Sequence, residues 1–278
     1  MSVEKYGTFT TEQRNEKSRN IDKMTAREIV GLINDEDKTV AYAVEKTLDS
    51  VAEAVEKTVQ RLTAGGRIFY VGAGTSGRLA IADAAECPPT YGTSPDLVRA
   101  IMAGGRDAVF TAGEGNEDDP DAGVNELKAA GFCANDVCFG ISASGSAAFV
   151  QAAVQYARSV GALTISFSCH EASRLAGMTD ISIIPVVGPE VINGSTRMKA
   201  ATAQKMVLTM YSTAVMVRLG RVKGNLMVCM KPANKKLVDR AVRMICLDVG
   251  CDEAAARDAL EKCSMNVAGA IEMLEKSK

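Results

Sequence analysis

The chain has 278 residues, 47% of them hydrophobic and 24% charged, a balance that supplies a globular protein with a full core. Its 32 Lys+Arg against 34 Asp+Glu leave a net charge of -2, which offers no basic surplus for a nucleic-acid partner. No apolar stretch reaches the roughly 18 residues of a membrane span and the N-terminus is too polar for a secretory signal, so no membrane is expected and the expected location is cytoplasmic.

In chain order, residues 1–22 are polar and read as an extended arm that wraps a neighbour or lacks fixed structure. Thr25-Ala26-Arg27-Glu28 has capping-box spacing and predicts a helix to about residue 33, with 34–38 as a turn. A longer helix is expected over 40–64, because Val44, Leu48, Val51, Val55, Val59 and Leu62 recur at three- and four-residue steps. Gly65-Gly66 ends it. A buried strand over 68–71 then runs into Gly72-Ala73-Gly74-Thr75-Ser76-Gly77, and a helix over 78–86 follows, closed by Pro88-Pro89.

Further strands are expected over 97–102, 137–141, 163–168 and 181–187. Between the first two of these lies an acidic, glycine-rich loop over 111–123, with a helix over 124–130. The third strand ends in Ser142-Ala143-Ser144-Gly145-Ser146 before a helix over 147–159. A long helix is expected over 195–219, and after a linker three short helices over 234–249, 252–263 and 266–275. The fold class expected is therefore α/β, a three-layer sandwich around a five-stranded, mostly parallel sheet. The expected divisions are 1–54 (arm and first helices), 55–222 (ligand-binding domain) and 223–278 (helical module).

A strand that feeds a glycine-rich loop and then a helix aims free N–H groups and the positive helix end at one point, which suits a phosphate. The glycines spell G-x-G-x-x-G, but a dinucleotide site also needs an acid about 20 residues on, at the end of the next strand. That strand ends in Ala103-Gly104-Gly105. The hydroxyls of Thr75 and Ser76 point instead to a compact phosphate monoester, unless they serve only as helix caps. The second hydroxyl-rich turn, with Ser142, Ser144 and Ser146, repeats the arrangement, and two such loops from one sheet can meet on a single ligand. The 8 cysteines show no C-x-x-C pair and His170 is the single histidine, so neither a disulfide framework nor a metal site is expected, and no cofactor is expected. His170 itself follows a strand, as a structural residue or a ligand contact.

Three stretches carry a resemblance: 71–92 (VGAGTSGRLAIADAAECPPTYG), 33–40 (INDEDKTV) and 189–210 (PEVINGSTRMKAATAQKMVLTM). Together they resemble the N-acetylmuramic acid 6-phosphate etherases, members of the SIS phosphosugar-binding fold to which the glucokinase regulatory protein also belongs. The resemblance implies a cytoplasmic homodimer with its pocket near the interface. It further implies cleavage of a D-lactyl ether by elimination and then addition of water, with Glu86 and Glu117 as the functional carboxylates. Phosphate would lie on Gly74, Thr75, Ser76, Gly77 and Arg78, with Ser142, Ser144 and Ser146 closing over it.

Two carboxyls in different environments suit that chemistry. One removes the acidified proton beside an aldehyde and the other protonates the leaving oxygen. Glu86 is assigned as acid and Glu117 as base, with the reverse assignment open and Glu114 a competitor in the same loop. The chain departs from the family twice. Ser146-Ala147-Ala148 stands where the family reads Arg-Thr-Pro, and His170-Glu171 follows Cys169 where the family reads Asn-Pro. These changes keep two further readings in play, a phosphosugar isomerase and a non-catalytic phosphosugar sensor.

Overall fold

Five short apolar runs pair side by side in the computed structural model, which describes residues 9–113 and 115–277. They are β1 (Ile68–Gly72), β2 (Val98–Met102), β3 (Val137–Ile141), β4 (Leu163–Phe167) and β5 (Ile181–Ile183). Their order is β2-β1-β3-β4-β5, and every pairing is parallel. Along β1 the side chains alternate between faces, as strand geometry requires. Ile68 and Tyr70 join one core, whereas Phe69 and Val71 join the other.

The first core lies under α1 (Ala26–Glu45), α2 (Leu48–Thr63), α3 (Gly74–Tyr91) and α7 (Lys199–Arg218). The second core is closed by α5 (Pro120–Ala129) and α6 (Ala148–Ser159), and a one-turn helix α4 (Asp107–Phe110) follows β2. Beyond the linker, α8 (Lys235–Val249), α9 (Glu253–Lys262) and α10 (Val267–Lys276) enclose a third core of their own.

Several boundaries differ from the sequence reading for identifiable reasons. The capping box at Thr25 is complete, but α1 runs on through the expected turn at 34–38. That stretch has no helix breaker, and Glu36 within it is drawn inward by lysines from elsewhere in the chain. The break comes instead at Thr47, whose N–H and hydroxyl both donate to the Val44 carbonyl (2.9 and 2.8 Å). Helix α3 carries both Pro88 and Pro89 and stops only at Gly92, which is left-handed (φ 63°) and donates its N–H to the Pro88 carbonyl at 2.9 Å. Glu86 therefore sits inside a helix and not at its C-terminal end.

Helix α7 starts later than expected, at the point where the Glu190 carboxylate accepts the N–H groups of Lys199 and Ala200 (2.9 Å each). Strand β5 is short because Pro185 follows it closely. The polar arm, described from Phe9 onward, is not loose. It forms three single-turn 3-10 helices over Thr10–Glu12, Glu16–Ser18 and Ile21–Lys23, and polar contacts with the body hold it down. Residues 1–8 of that arm, and Glu114, lie outside the described residues.

Candidate active site

In this strand order the chain reverses direction between β1 and β3, and ligands of parallel sheets bind at the carboxyl ends of strands at such a switch point. A cavity of about 350 Å³ opens there. Its floor is the β1–α3 turn, with Ala73, Gly74, Thr75 and Ser76, together with the β3–α6 turn, with Ser142, Ser144 and Ser146. The two hydroxyl-bearing loops that the sequence singled out therefore meet at one place.

The β1–α3 turn is tight because Gly77 packs against β2: a side chain there would run into Met102 Cγ at 2.7 Å. Ala73 is the residue that begins α3, and no side chain caps the helix. Thr75 and Ser76 thus stand in the first turn and line the cavity, and the bland reading of them as caps fails. The first N–H groups of a helix have no partner within it, so those of α3 are left for a ligand. Gln204, reaching across from α7, donates to the Ser76 carbonyl at 2.9 Å and fixes the turn from behind.

The second loop folds back on itself. Gly145 donates its N–H to both the carbonyl and the hydroxyl of Ser142 (3.0 and 3.1 Å). Its φ of 76° and the Ser173 hydroxyl against it leave no room for a side chain. Ser144 and Ser146 share a hydrogen bond of 2.7 Å, and the Gln151 amide holds the Gly145 carbonyl at 2.7 Å. Helix α6 also begins without a side-chain cap. Two helix N-termini and their serines and threonine therefore surround the cavity, and no lysine or arginine is among the described residues lining it. An anion bound here would be held by N–H groups, hydroxyls and helix dipoles.

Glu117 lies on the rim of this cavity, in a single-turn helix over Asn116–Asp118. Its loop is braced on both sides. The Asn116 amide packs against Gly104 and Gly113, where any added side chain would collide with it. Arg78, expected to touch ligand, bonds its guanidinium to α4, which leads into that loop: Nε donates to the Val109 carbonyl (2.9 Å) and Nη2 to that of Ala108 (2.8 Å).

Glu86 does not share this cavity. It lines a separate one of about 340 Å³ between α3 and α7, with Asp83, Lys205 and Ser212. Twelve residues of helix separate it from Gly74, about 18 Å at roughly 1.5 Å per residue. Asp83 in that second cavity is half-buried, and the loss of solvent raises its pKa, although hydrogen bonds from Tyr70 (2.9 Å) and Ser212 (3.1 Å) oppose the rise.

The sequence reading missed the roof. Phe9 and Glu12 of the arm, and Gly194 and Thr196 before α7, complete the lining of the first cavity. His170 lies beneath the arm, with its ring 4.6 Å from that of Phe9 and its Nδ1 accepting the Thr10 N–H at 3.5 Å. Asn193, with its amide nitrogen turned to the carbonyls of Gln13 and Glu12 (2.8 and 3.1 Å), pins the arm at the other end. No local pattern marks an arm that packs onto a histidine 160 residues away. A glutamine buried in α7 was the one available sign for Gln204.

Comparison with known proteins agrees with this architecture. Residues 50–158 match the model of the glucokinase regulatory protein N-terminal SIS domain, and residues 132–214 match that of the SIS domain. Solved phosphoheptose isomerases from Neisseria gonorrhoeae and Francisella tularensis superpose with TM-scores of 0.52 and 0.53. They share 22% and 18% identity and cover 69% of this chain and 99% and 98% of theirs, a likeness of fold alone. Among described residues no helix is long and apolar enough to cross a membrane.

Sequence relatives are much nearer. The N-acetylmuramic acid 6-phosphate etherase of Clostridium beijerinckii is 50% identical over 266 residues, which is 96% of this chain and 88% of the relative. That of Symbiobacterium thermophilum is 52% identical over 263 residues, 95% and 87% of the two chains. With half its residues identical to theirs over nearly its whole length, and with the phosphosugar-type sheet and switch-point cavity described above, this chain belongs to the N-acetylmuramic acid 6-phosphate etherase family.

Proposed function

We propose that this chain is a cytoplasmic carbon–oxygen lyase of cell-wall amino-sugar recycling, which cleaves the D-lactyl ether of N-acetylmuramate 6-phosphate to N-acetylglucosamine 6-phosphate and D-lactate. The observation that supports this reading best is the meeting of two uncapped, hydroxyl-bearing helix N-termini at the sheet's switch point, with the Glu117 carboxyl on the rim. The phosphate sits on the N–H groups and hydroxyls of Gly74, Thr75 and Ser76, with Ser142, Ser144 and Ser146 closing from β3. Gly77 keeps the turn tight.

Glu117 takes the proton from C2 of the open-chain sugar. The C3–O bond breaks, the lactyl oxygen receives a proton and D-lactate leaves, with a C2–C3 double bond behind it. Water then adds its hydroxyl to C3 while C2 regains a proton, and Glu117 assists that water. Glu86 is the acid to the leaving oxygen. Because it lies far along α3 from its own chain's cradle, it acts in the site of a second copy, and the working unit is a homodimer with the site near the interface.

Release of D-lactate from N-acetylmuramate 6-phosphate by the pure protein tests the reading. Glu117→Gln and Glu86→Gln are expected to lower the rate by about 100- to 10,000-fold, the usual worth of a general acid or base. Losses within about tenfold, ~1.4 kcal/mol of barrier, would remove both from the chemistry. One observation favours a second reading: among the described residues of a single chain the cradle's cavity is lined by Glu117 and the arm's Glu12 but not by Glu86, and one base is all that a phosphosugar isomerase needs. Solvent deuterium entering C2 with no lactate formed would select that reading.

A further inference from the structure

The cavity between α3 and α7 is faced by one stripe of each helix. Asp83 and Glu86 on α3, and Lys205 and Ser212 on α7, fall at spacings that keep side chains on one helix face. Asp83 has both carboxylate oxygens engaged, Oδ2 by the Tyr70 hydroxyl and Oδ1 by that of Ser212. Glu86 and Lys205 differ. No described residue forms a hydrogen bond or ion pair with either side chain, although both line the same space. Lys205 is moreover the one lysine or arginine among the described residues that line either this cavity or that of the phosphate cradle.

We infer that Lys205 binds the carboxylate of the lactyl group and so selects phosphosugars that carry this acid. The inference rests on the lyase reading above. The substrate of that reading has two anionic ends, and the cradle of N–H groups and hydroxyls takes only the phosphate. The lactyl carboxylate is left to be matched, and the free cation of the Glu86 cavity matches it.

The chemistry of the leaving group ties the two residues together. In a lactyl ether one carbon bears both the carboxylate and the ether oxygen, so the group that protonates the oxygen and the group that holds the carboxylate must stand side by side. Glu86 and Lys205 line one cavity of one chain, so whichever cradle receives Glu86 receives Lys205 with it. An ammonium on a flexible stem can follow the carboxylate as the C3–O bond breaks, and its charge stays within reach until lactate departs.

Steady-state release of D-lactate from N-acetylmuramate 6-phosphate by Lys205→Met tests the assignment. KM is expected to rise by about 10- to 100-fold, the worth of a hydrogen bond to a charged group, with kcat near wild type because the contact is made before and during the reaction alike. Inhibition by N-acetylglucosamine 6-phosphate, which lacks the carboxylate, should be unchanged, and this also reports a folded cradle. The methyl ester of the lactyl carboxylate should cost wild type the same factor in KM and cost Lys205→Met nothing, and Lys205→Arg should recover most of the loss. Lys205 is exposed and makes no bond to the fold, so its replacement leaves no buried group unpaired. An unchanged KM would overturn the inference, as would an equal ester penalty in both proteins, or a fall in kcat at constant KM, which would mean that Lys205 acts through Glu86. Wild-type protein that releases no D-lactate would remove the lyase reading itself, whereas wild-type release without these variant effects would remove only the role of Lys205.

Discussion

Arg78 shows how a residue beside a ligand loop can serve it indirectly. It sits one turn into α3, where a cation would ordinarily be assigned to phosphate, yet its fork holds two carbonyls at α4, immediately before the loop that carries Glu117. A planar guanidinium holds both bonds in one rigid fork, whereas an ammonium is a point charge on a flexible stem that fixes neither direction. Arg78→Lys should therefore let Glu117 drift and lower kcat by about 10- to 100-fold, the scale on which small misplacements act. KM for the phosphosugar should stay near the wild-type value. A raised KM with kcat intact would return Arg78 to the phosphate. Cradle glycines such as Gly77 were legible in sequence because each tight approach leaves a glycine behind. The partner of Arg78 was not, since backbone carbonyls carry no residue signature.

Among the elements, the junction of arm, α1 and α7 is joined by one buried carboxylate. Glu36 accepts from Lys199 Nζ (2.7 Å), Lys17 Nζ (2.8 Å) and Asn15 Nδ2 (2.9 Å), and only 6% of its side chain is exposed. Burial by itself would raise its pKa, but the lysine and asparagine hydrogen bonds and the Lys199 charge prevail and hold it at about 2. A folded pKa below the unfolded value of about 4.3 stabilises the protein at neutral pH, and that contribution drains away as pH falls from about 5 toward 2. Its size is about 3 kcal/mol on this argument. Urea unfolding at pH 7 and at acid pH should show wild type losing this increment. Glu36→Gln should start lower, with Lys199 left buried and unpaired, and depend less on pH. Parallel pH slopes for the two proteins would show that Glu36 carries no such linkage. The same residue explains why 34–38 reads as a turn: its charges look solvated until the lysine from 163 residues away is in place. The strands needed no such distant partner, and their apolar runs located all five.

For the whole molecule, the separation of Glu86 from Glu117 is the fact that one chain by itself leaves without a use. α3 is a rigid rod whose N-terminus belongs to one cavity and whose later turns belong to another. The outer face of the neighbouring α7 exposes Met210 (36%) and Val217 (46%), apolar side chains that a second copy would cover. In a two-fold dimer each site would then take Glu117 from one chain and Glu86 from the other, a dependence that mixing can read. Glu86→Gln protein mixed with Glu117→Gln protein, unfolded and refolded together, places both lesions in one site of each mixed dimer and leaves the other site intact. Random pairing should then restore about a quarter of wild-type D-lactate release, from two preparations each nearly inactive alone. If both glutamates served the site of their own chain, every site in every dimer would keep a lesion and mixing would restore nothing. A monomer by sedimentation would make that second outcome unavoidable, so sedimentation and the mixing assay together decide whether the interface completes the site.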